Sequence, residues 1–531
     1  VRCLLFELGE QYSHRVRSAR LISPDGHGKL PHEPCRITSI EKSKMNAHSF
    51  ARATCLILGL AGVTCTLPPK HVNQAPPQED QVESTRQWLA GDHHIHSRFS
   101  VGWNRSVDPP RPIIAGDAIY PIQMNATMAK YYGLSWMVST DHGGPHHSKV
   151  NIEQAYPELL LSREVVPEVV QFYGMEFDTP GADHSSLIIP HTHDEADRLF
   201  EIESNFAKKE PHPADSSWDT EPRMLDALGA MNQFATKPIV IANHPSRSAT
   251  DLGTYGLDRP AELRDWNDTA PEVAVGMSGA PGHQAKTLNR DGSQRMAPRS
   301  SYGNFPTMGG FDQMTARLGG FWDSMLGEGR RWRITANSDS HINWREGGSD
   351  FWPGEYSKTY VWAHRNHDDV MDGIREGRIF VTLGDLISEL HVTARSGDTS
   401  VELGGQLHVK AGADIEVTIR FLDPVGLNWG GQDPAVTRVD LIVGQVTGAA
   451  ADRSIDTNPT THVLSRFSPQ QWHSEGAYLE MSYRMDAVAH NSYLRIRGTN
   501  GLELEPAMDP AGEDPWSDLW FYSNPIFIVV D

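Results

Sequence analysis

Several short apolar runs in this chain end on a histidine or a carboxylate, and this is the feature that most limits the folds open to it. His94 and His96 close the first run, and their i, i+2 spacing places both imidazoles on the same side of a strand. Parallel barrels carry their active sites at the carboxyl ends of their strands. A series of such endings therefore predicts a parallel sheet with a metal-competent site at one edge.

Other apolar runs also begin or end with a histidine or a carboxylate. Any one of these residues alone is better explained as a turn residue or as a buried, hydrogen-bonded histidine. Their occurrence in series favours a single metal centre. The candidate ligands are His94, His96, His142, Glu176, His184, His244, Asp339 and His341.

This ordered set resembles the polymerase and histidinol phosphatase (PHP) superfamily. The resemblance covers about residues 89 to 385 and is strongest to the larger bacterial branch that includes carbaryl-type carbamate hydrolases. It implies an α/β fold, a PHP-type distorted (β/α)7 barrel followed by a C-terminal antiparallel β-sandwich. The matching motifs are His94-Ile95-His96, Asp141-His142, Gly174-Met175-Glu176, His184, Asn243-His244-Pro245 and Ser338-Asp339-Ser340-His341.

One part of the family pattern is missing. Members usually carry another Asp or His soon after the HxH pair, whereas this chain has Val101-Gly102 there. The resemblance implies one cation near Asp339, a second that shares Glu176, and a third at His142 and His341. Because the third position lacks a ligand, we expect one or two tightly bound ions, with Asp117 as the first candidate for a substitute.

The implied chemistry is metal-dependent hydrolysis. A carboxylate such as Glu176 can bridge two cations, which lowers the pKa of a shared water. Arg247, or less favourably Arg98, is expected to neutralise a phosphoryl oxygen, because a guanidinium suits a bidentate contact. The expected catalytic residues are Glu176, Asp339, Arg247 and His142.

Three functions remain open at this level. A phosphodiesterase acting on small alkyl or aryl phosphate diesters comes first, because phosphoester hydrolysis is the common chemistry of the resembled superfamily. A carbamate or carboxyl-ester hydrolase of the carbaryl-hydrolase type is the second. A secreted metal- or glycan-binding protein without catalysis is the third.

Composition narrows the partners and the metal. The 531-residue chain has a net charge of −21 and no basic cluster, which argues against nucleic acid and favours a small-molecule substrate. No run approaches the ~18 to 20 apolar residues of a membrane span. All four cysteines lie within the first 65 residues, so the ligands of the remaining chain are His and carboxylate, which suit manganese, zinc or iron. A monomer is plausible, and the oligomeric state stays open.

The first 87 residues are expected to be a leader, with a signal-like segment at 45–65 followed by a proline-rich linker. This pattern predicts translation from Met45 and a periplasmic or secreted protein. A lipoprotein anchored at Cys65 is one alternative, and a short buried helix is another.

The rest of the chain divides into a metallohydrolase domain at 88–385 and a β-sandwich at 386–531. Strand-like runs alternate with helix-like stretches in the first of these, which predicts a parallel sheet. The segment from Pro245 to about Gly310 is rich in Gly, Ser and Pro and is expected to be a long irregular loop over the site. The predicted helices are Ile122 to Tyr132, Glu195 to Lys208, Arg223 to Phe234, Phe311 to Leu326 and His367 to Glu376.

Overall fold

The computed structural model describes residues 85–531, which form a mixed α/β fold with a large mixed sheet and a separate antiparallel sheet. The signal-like segment 45–65, the four cysteines and nearly all of the predicted leader lie outside the described residues. Within residues 85–531, no helix combines the length and apolar character needed to cross a membrane.

Among residues 85–531, eleven strands and nine α-helices precede the C-terminal strands. The strands are β1 (Gln87–Ile95), β2 (Gly102–Asn104), β3 (Arg111–Ile113), β4 (Trp136–Ser139), β5 (Val170–Asp178), β6 (His184–Ile189), β7 (Ile239–Ala242), β8 (Ala274–Ala280), β9 (Arg333–Ala336), β10 (Ser357–Ala363) and β11 (Ile379–Leu383). The helices are α1 (Ile122–Tyr131), α2 (His147–Val150), α3 (Tyr156–Val165), α4 (Glu195–Phe206), α5 (Glu221–Met231), α6 (Pro260–Thr269), α7 (Gln313–Ala316), α8 (Phe321–Gly327) and α9 (His367–Glu376). A π-helical turn, Asn151–Ala155, joins α2 to α3.

The strand order β10-β1-β4-β5-β6-β7-β8-β9 positions the site. Strand β6 is antiparallel to both of its neighbours, and the pairs β1–β4, β4–β5, β7–β8 and β8–β9 are parallel. The carboxyl ends of these parallel strands and the amino end of β6 therefore lie at one edge. A parallel bridge between Ile95 and Ser340 also joins the end of β1 to the segment that follows β9.

The apolar character of the strands explains their central position. All four residues of β4 and all four of β7 are buried. Strands covered on both faces are expected to be continuous apolar runs rather than alternating ones. The sequence of β7, Ile-Val-Ile-Ala, is such a run.

Most of the predicted helices are confirmed, and α9 shows why. The side chain of Asn366 accepts a hydrogen bond from the Asp369 amide at 2.9 Å, which caps the first turn. Gly377 ends the helix with a φ of 76°, a conformation that favours glycine. The single helix predicted for Phe311 to Leu326 is wrong, because the chain forms α7 and α8 with a break at Gly319, whose φ is 68°.

The expectation of an irregular loop from Pro245 to Gly310 is wrong in its middle part. That segment contains helix α6 and strand β8, which pairs in parallel with β7 and β9. The strand was hidden by its glycines. A Cβ at Gly276 would lie 2.1 Å from the carbonyl oxygen of Arg333, so glycine is required where the two strands approach.

The C-terminal strands divide between two sheets. Strands β12, β13, β15, β18 and β19 form the separate antiparallel sheet, whereas the others continue the large sheet through the pairing of β11 with β21. The rings of Phe421 in β15 and Phe521 in β21 lie 6.2 Å apart between the two sheets. The bounds are β12 (Glu389–Ser396), β13 (Thr399–Val401), β14 (Gln406–Val409), β15 (Ala413–Leu422), β16 (Arg438–Gln445), β17 (His462–Phe467), β18 (His473–Glu475), β19 (Tyr478–Val488), β20 (Ser492–Thr499), β21 (Trp520–Ser523) and β22 (Ile526–Val530).

Candidate metal centre

The predicted ligands converge at the edge where the parallel strands end. His94 and His96 lie at the end of β1, and Glu176 lies near the end of β5. His184 is the first residue of β6, and it pairs with Asp178, the last residue of β5. The reversed direction of β6 therefore places an amino-terminal residue beside the carboxyl ends of its neighbours.

Glu176 lies at the centre of this group. Its Oε1 atom is 3.2 Å from Nε2 of His94, 3.1 Å from Nδ1 of His184 and 3.1 Å from Nε2 of His244. Asn243 also donates a hydrogen bond to the same oxygen. Burial raises the pKa of Glu176, but the charges of His184 and His94 outweigh it and hold that pKa well below its usual range.

Asp339 faces the two histidines of β1 from the opposite side. Its Oδ1 atom is 3.2 Å from Nε2 of His94 and 3.1 Å from Nε2 of His96, and its Oδ2 atom is 2.9 Å from Nε2 of His283. The backbone of Asp339 is left-handed, with a φ of 47°. Such a conformation is costly for a non-glycine residue and is concentrated at functional sites. Gly282 permits it, because a Cβ there would lie 2.1 Å from Cβ of Asp339.

His142 and His341 meet a carboxylate that belongs to none of the quoted motifs. Oδ2 of Asp117 lies 2.8 Å from Nε2 of His142 and 3.3 Å from Nε2 of His341. Burial raises the pKa of Asp117, but its two histidine partners outweigh it and hold the pKa well below its usual range. Burial lowers the pKa of His341, but Asp117 and Asp339 outweigh it and raise the pKa to about 9.

These side chains could hold metal ions. Their ligand atoms lie within 4.8 Å of one another in groups of three, which are His94 with His96 and Glu176, Glu176 with His184 and His244, and His96 with His142 and His341. Nδ1 of His184 and Oδ1 of Asp339 are buried, and their close contacts to Glu176 and to the two histidines of β1 are not well-directed hydrogen bonds. Nε2 atoms of His94 and His96 point at each other across 2.9 Å, and a shared cation would satisfy both lone pairs.

A hydrogen-bond chain behind His96 orients its ring. Nδ1 of His96 donates to the hydroxyl of Ser100 at 2.7 Å, and Ser100 donates to Asp141. This arrangement leaves Nε2 free of a proton and aimed at the centre. Asp141, part of the Asp-His motif, therefore supports the turn after β1 through Ser97 and Ser100 instead of joining the ligand group.

Arg247 does not join the ligand group. Its Nε and Nη2 atoms donate to Asp183 at 3.1 and 2.6 Å, and Oδ2 of Asp183 is 3.5 Å from Nδ1 of His244. Its guanidinium fork thus faces a carboxylate that orients a histidine. Arg98 is paired with Glu158.

Sequence reasoning missed two residues at this edge. Nζ of Lys209 lies 2.5 Å from Oδ1 of Asp178 and 3.4 Å from Nε2 of His184. His283 bridges Asp339 and Asp350, and it lies in the segment expected to be a loop. The turn that carries His283 follows β8, so recognition of that strand would have placed His283 with the other strand-end ligands.

A cleft of about 830 Å³ opens beside Asp117 and His142. Its wall contains the apolar side chains of Trp103 and Val107. It also carries three cationic side chains, Arg105, Lys208 and Lys209, against the carboxylates of Asp108 and Asp117. A cleft of this composition suits a small molecule with an apolar group and a negative charge.

No protein-family model matches the chain. A search of curated proteins also found no significant match. What the site can do therefore follows from its own geometry and chemistry.

Proposed function

We propose that this protein is a metal-dependent hydrolase of the PHP superfamily. The observation that carries the proposal is the convergence of His94, His96, Glu176 and Asp339 from the ends of three strands, with their nitrogen and oxygen atoms about 3 Å apart. A distorted (β/α)7 barrel is part of the proposal. The parallel bridge from Ile95 to Ser340 supports it, and so does the order from β1 to β9, in which β6 is the one reversed strand.

The ligand chemistry suits manganese, zinc or iron. His94, His96, Glu176 and Asp339 would hold one ion, and Glu176 with His184 and His244 would hold a second. A bound divalent cation supplies a Lewis acid that polarises the ester and makes water more acidic. The donor set contains only imidazole nitrogens and carboxylate oxygens, and it does not choose among these metals.

The charge of the cleft favours an anionic substrate. Lys209 pairs with Asp178 but is about half exposed and adjoins both the cleft and His184, so the remaining N–H donors of its ammonium can bind a non-bridging oxygen of a phosphate diester. His142 and Asp117 border the same cleft, and their hydrogen bond holds the imidazole in one orientation. Phosphodiester hydrolysis of small alkyl or aryl esters is therefore the first candidate function.

Carbamate or carboxyl-ester hydrolysis is the second candidate. The apolar wall formed by Val101, Trp103 and Val107 supports it, because a neutral aryl carbamate needs apolar contact more than it needs a cation. The engagement of Arg247 with Asp183 also removes one of the cations expected for phosphate binding. A non-catalytic metal- or glycan-binding role is the third.

One pair of substrates separates these functions. Purified protein would be assayed on bis(p-nitrophenyl) phosphate and on 1-naphthyl N-methylcarbamate, with and without chelator. For a phosphodiesterase, Lys209→Met should lower kcat/KM on the phosphate diester by roughly 10- to 100-fold, the value of a charged hydrogen bond, and leave any carbamate activity unchanged. Lys130→Met is the matched control, because Lys130 pairs with Glu168 on the surface. Turnover of the carbamate alone would favour the second candidate, and turnover of neither would favour the third.

A further inference from the structure

A second cavity, of about 620 Å³, lies at the other end of the strands that carry the metal centre. Trp88, near the start of β1, lines it, and His94 is six residues further along the same strand. At ~3.3 Å per residue, these two positions are separated by about 20 Å. Arg333 also lines the cavity and begins β9, whereas Asp339 follows the end of that strand. The cavity is therefore distinct from the candidate metal centre.

The charge of this cavity is unusual for so acidic a chain. Five arginines line it against two acidic residues, Glu376 and Glu402, while the whole chain carries a net charge of −21. Three of the arginines have carboxylate partners: Arg86 and Arg378 both bind Asp369, and Arg375 lies 3.4 Å from Asp372. The two that remain are Arg331 and Arg333.

Arg331 and Arg333 have no carboxylate at ion-pairing distance among the residues that the structure describes. Arg331 donates to Gln406 and packs over the ring of Phe527. Arg333 is only 2% exposed and donates to the carbonyl oxygen of Arg375 through Nε and Nη2. Burial and the charge of Arg331 lower the pKa of Arg333 to about 9. Two guanidinium groups, two positions apart on the chain, thus share one wall without a carboxylate at ion-pairing distance among the described residues.

Three buried donors at this cavity have no acceptor. They are Nη1 of Arg331, Nη1 of Arg333 and the indole nitrogen of Trp88. A buried donor without a partner costs free energy, and a charged one costs more. An oxygen-rich anion at the arginines would give the two guanidinium groups the acceptor that they lack, because guanidinium groups bind such anions in a bidentate manner.

The remaining wall is apolar and aromatic. The rings of Trp88 and Trp362 lie 5.3 Å apart, and the ring of His391 in the antiparallel sheet contacts both of them. Apolar side chains that include Leu390 and Val392 also line the cavity. We propose that this cavity binds a small organic oxyanion, with Arg331 and Arg333 on the oxyanion and the two tryptophans against an apolar body. The phosphate, sulfate or carboxylate of such a ligand shares the same chemistry at the arginines.

Calorimetric titration of the full-length, metal-loaded protein with phenyl phosphate tests the proposal. Arg331→Gln and Arg333→Met should each weaken one binding event at least tenfold while hydrolysis at the metal centre stays unchanged. Arg330→Gln is the matched control, because this neighbouring arginine pairs with Asp268 and Glu328 and does not line the cavity. Benzoate and benzenesulfonate titrations identify which oxyanion is preferred.

Thermal stability supplies a second readout. Phenyl phosphate should raise the Tm of the wild-type protein and of Arg330→Gln, but not the Tm of Arg331→Gln. Without ligand, neither Arg331→Gln nor Arg333→Met should lower the Tm by more than a few degrees, because each removes an unpaired charge; should Arg333→Met fail to fold, Arg331→Gln carries the test. If both variants gave the same titration curve as the wild type, the proposed binding site would be ruled out. Equal affinity for inorganic phosphate and phenyl phosphate would overturn the role of the apolar wall.

Discussion

Oδ2 of Asp117 lies 2.8 Å from Nε2 of His142, although the two residues are 25 positions apart in the chain. The same oxygen is 3.3 Å from Nε2 of His341. In the superfamily that the sequence resembles, another Asp or His usually follows a few residues after the HxH pair, whereas this chain has Val101-Gly102 there. Asp117, the candidate named as a substitute ligand, brings a carboxylate to both histidines from a later turn. This contact is the basis of the first prediction.

The first prediction concerns the number of metal ions. We expect the protein to retain a third ion, bound by His142, His341 and Asp117, and we expect Asp117→Asn to lose that ion because an amide is a weaker ligand than a carboxylate. Elemental analysis after exhaustive dialysis measures the change. Asp108→Asn is the control, since Asp108 lines the same cleft and binds His212 instead. Equal metal content in wild type and Asp117→Asn would rule out the third site.

The second prediction concerns the metal itself. His94→Ala and Asp339→Asn should each lower turnover by more than roughly 100-fold. Mutating a residue that only hydrogen-bonds to a metal ligand typically costs roughly 10- to 100-fold. Both variants should keep the far-UV circular dichroism spectrum of the wild type. Chelation should abolish activity, and manganese or zinc should restore it. His191→Gln, which removes a histidine paired with Glu195, should have no effect. Full activity in a metal-free sample would contradict the proposed function.

The third prediction concerns the hydrogen-bond chain behind His96. Ser100→Ala removes the hydroxyl that accepts from Nδ1 of His96 and donates to Asp141. The tautomer of His96 is then no longer held, so metal affinity should fall by roughly 10- to 100-fold. Competition with a fluorescent chelator measures the affinity. Ser106→Ala, which changes an exposed serine bonded to Asn104, is the control. Unchanged affinity in Ser100→Ala would mean that packing alone orients the ring.

The fourth prediction is a pH dependence of stability. Nδ1 of His147 lies 2.7 Å from Oε1 of Glu203, and both side chains are fully buried. Burial lowers the pKa of His147, but Glu203 outweighs it and raises the pKa to about 9. The folded-state pKa exceeds the unfolded value of ~6.5. The full contribution of this pair to the stability of the folded protein is therefore present below about pH 6.5, and it is lost as pH rises through about 9.

Urea unfolding at pH 6 and pH 9.5 measures this loss. The free energy of unfolding of the wild type, relative to that of His147→Gln, should decrease by up to ~3 kcal/mol between these pH values. His408→Gln changes an exposed histidine and should follow the wild type at both pH values. A constant difference between wild type and His147→Gln would show that His147 is neutral in the folded protein.

The sequence by itself was sufficient to locate most of the candidate ligands. Two-residue alternation determines that His94 and His96 share one side of β1, and continuous apolar runs such as β7 mark buried strands whose ends face the site. Local capping by Asn366 and Gly377 likewise determines the bounds of α9. These features depend on neighbours within one turn or one strand, so periodicity reveals them.

Only the tertiary structure decided the rest. The antiparallel direction of β6 brings His184 to the edge where the other strands end, and that direction depends on pairing with β5 and β7. Asp117 and Lys209 reach the centre from turns, where no period constrains a side chain. Arg247 faces a carboxylate, whereas Arg333 has none at ion-pairing distance among the described residues. This difference depends on residues that are distant in sequence. Contacts of this kind form only when separate segments pack together, so a local sequence pattern cannot predict them.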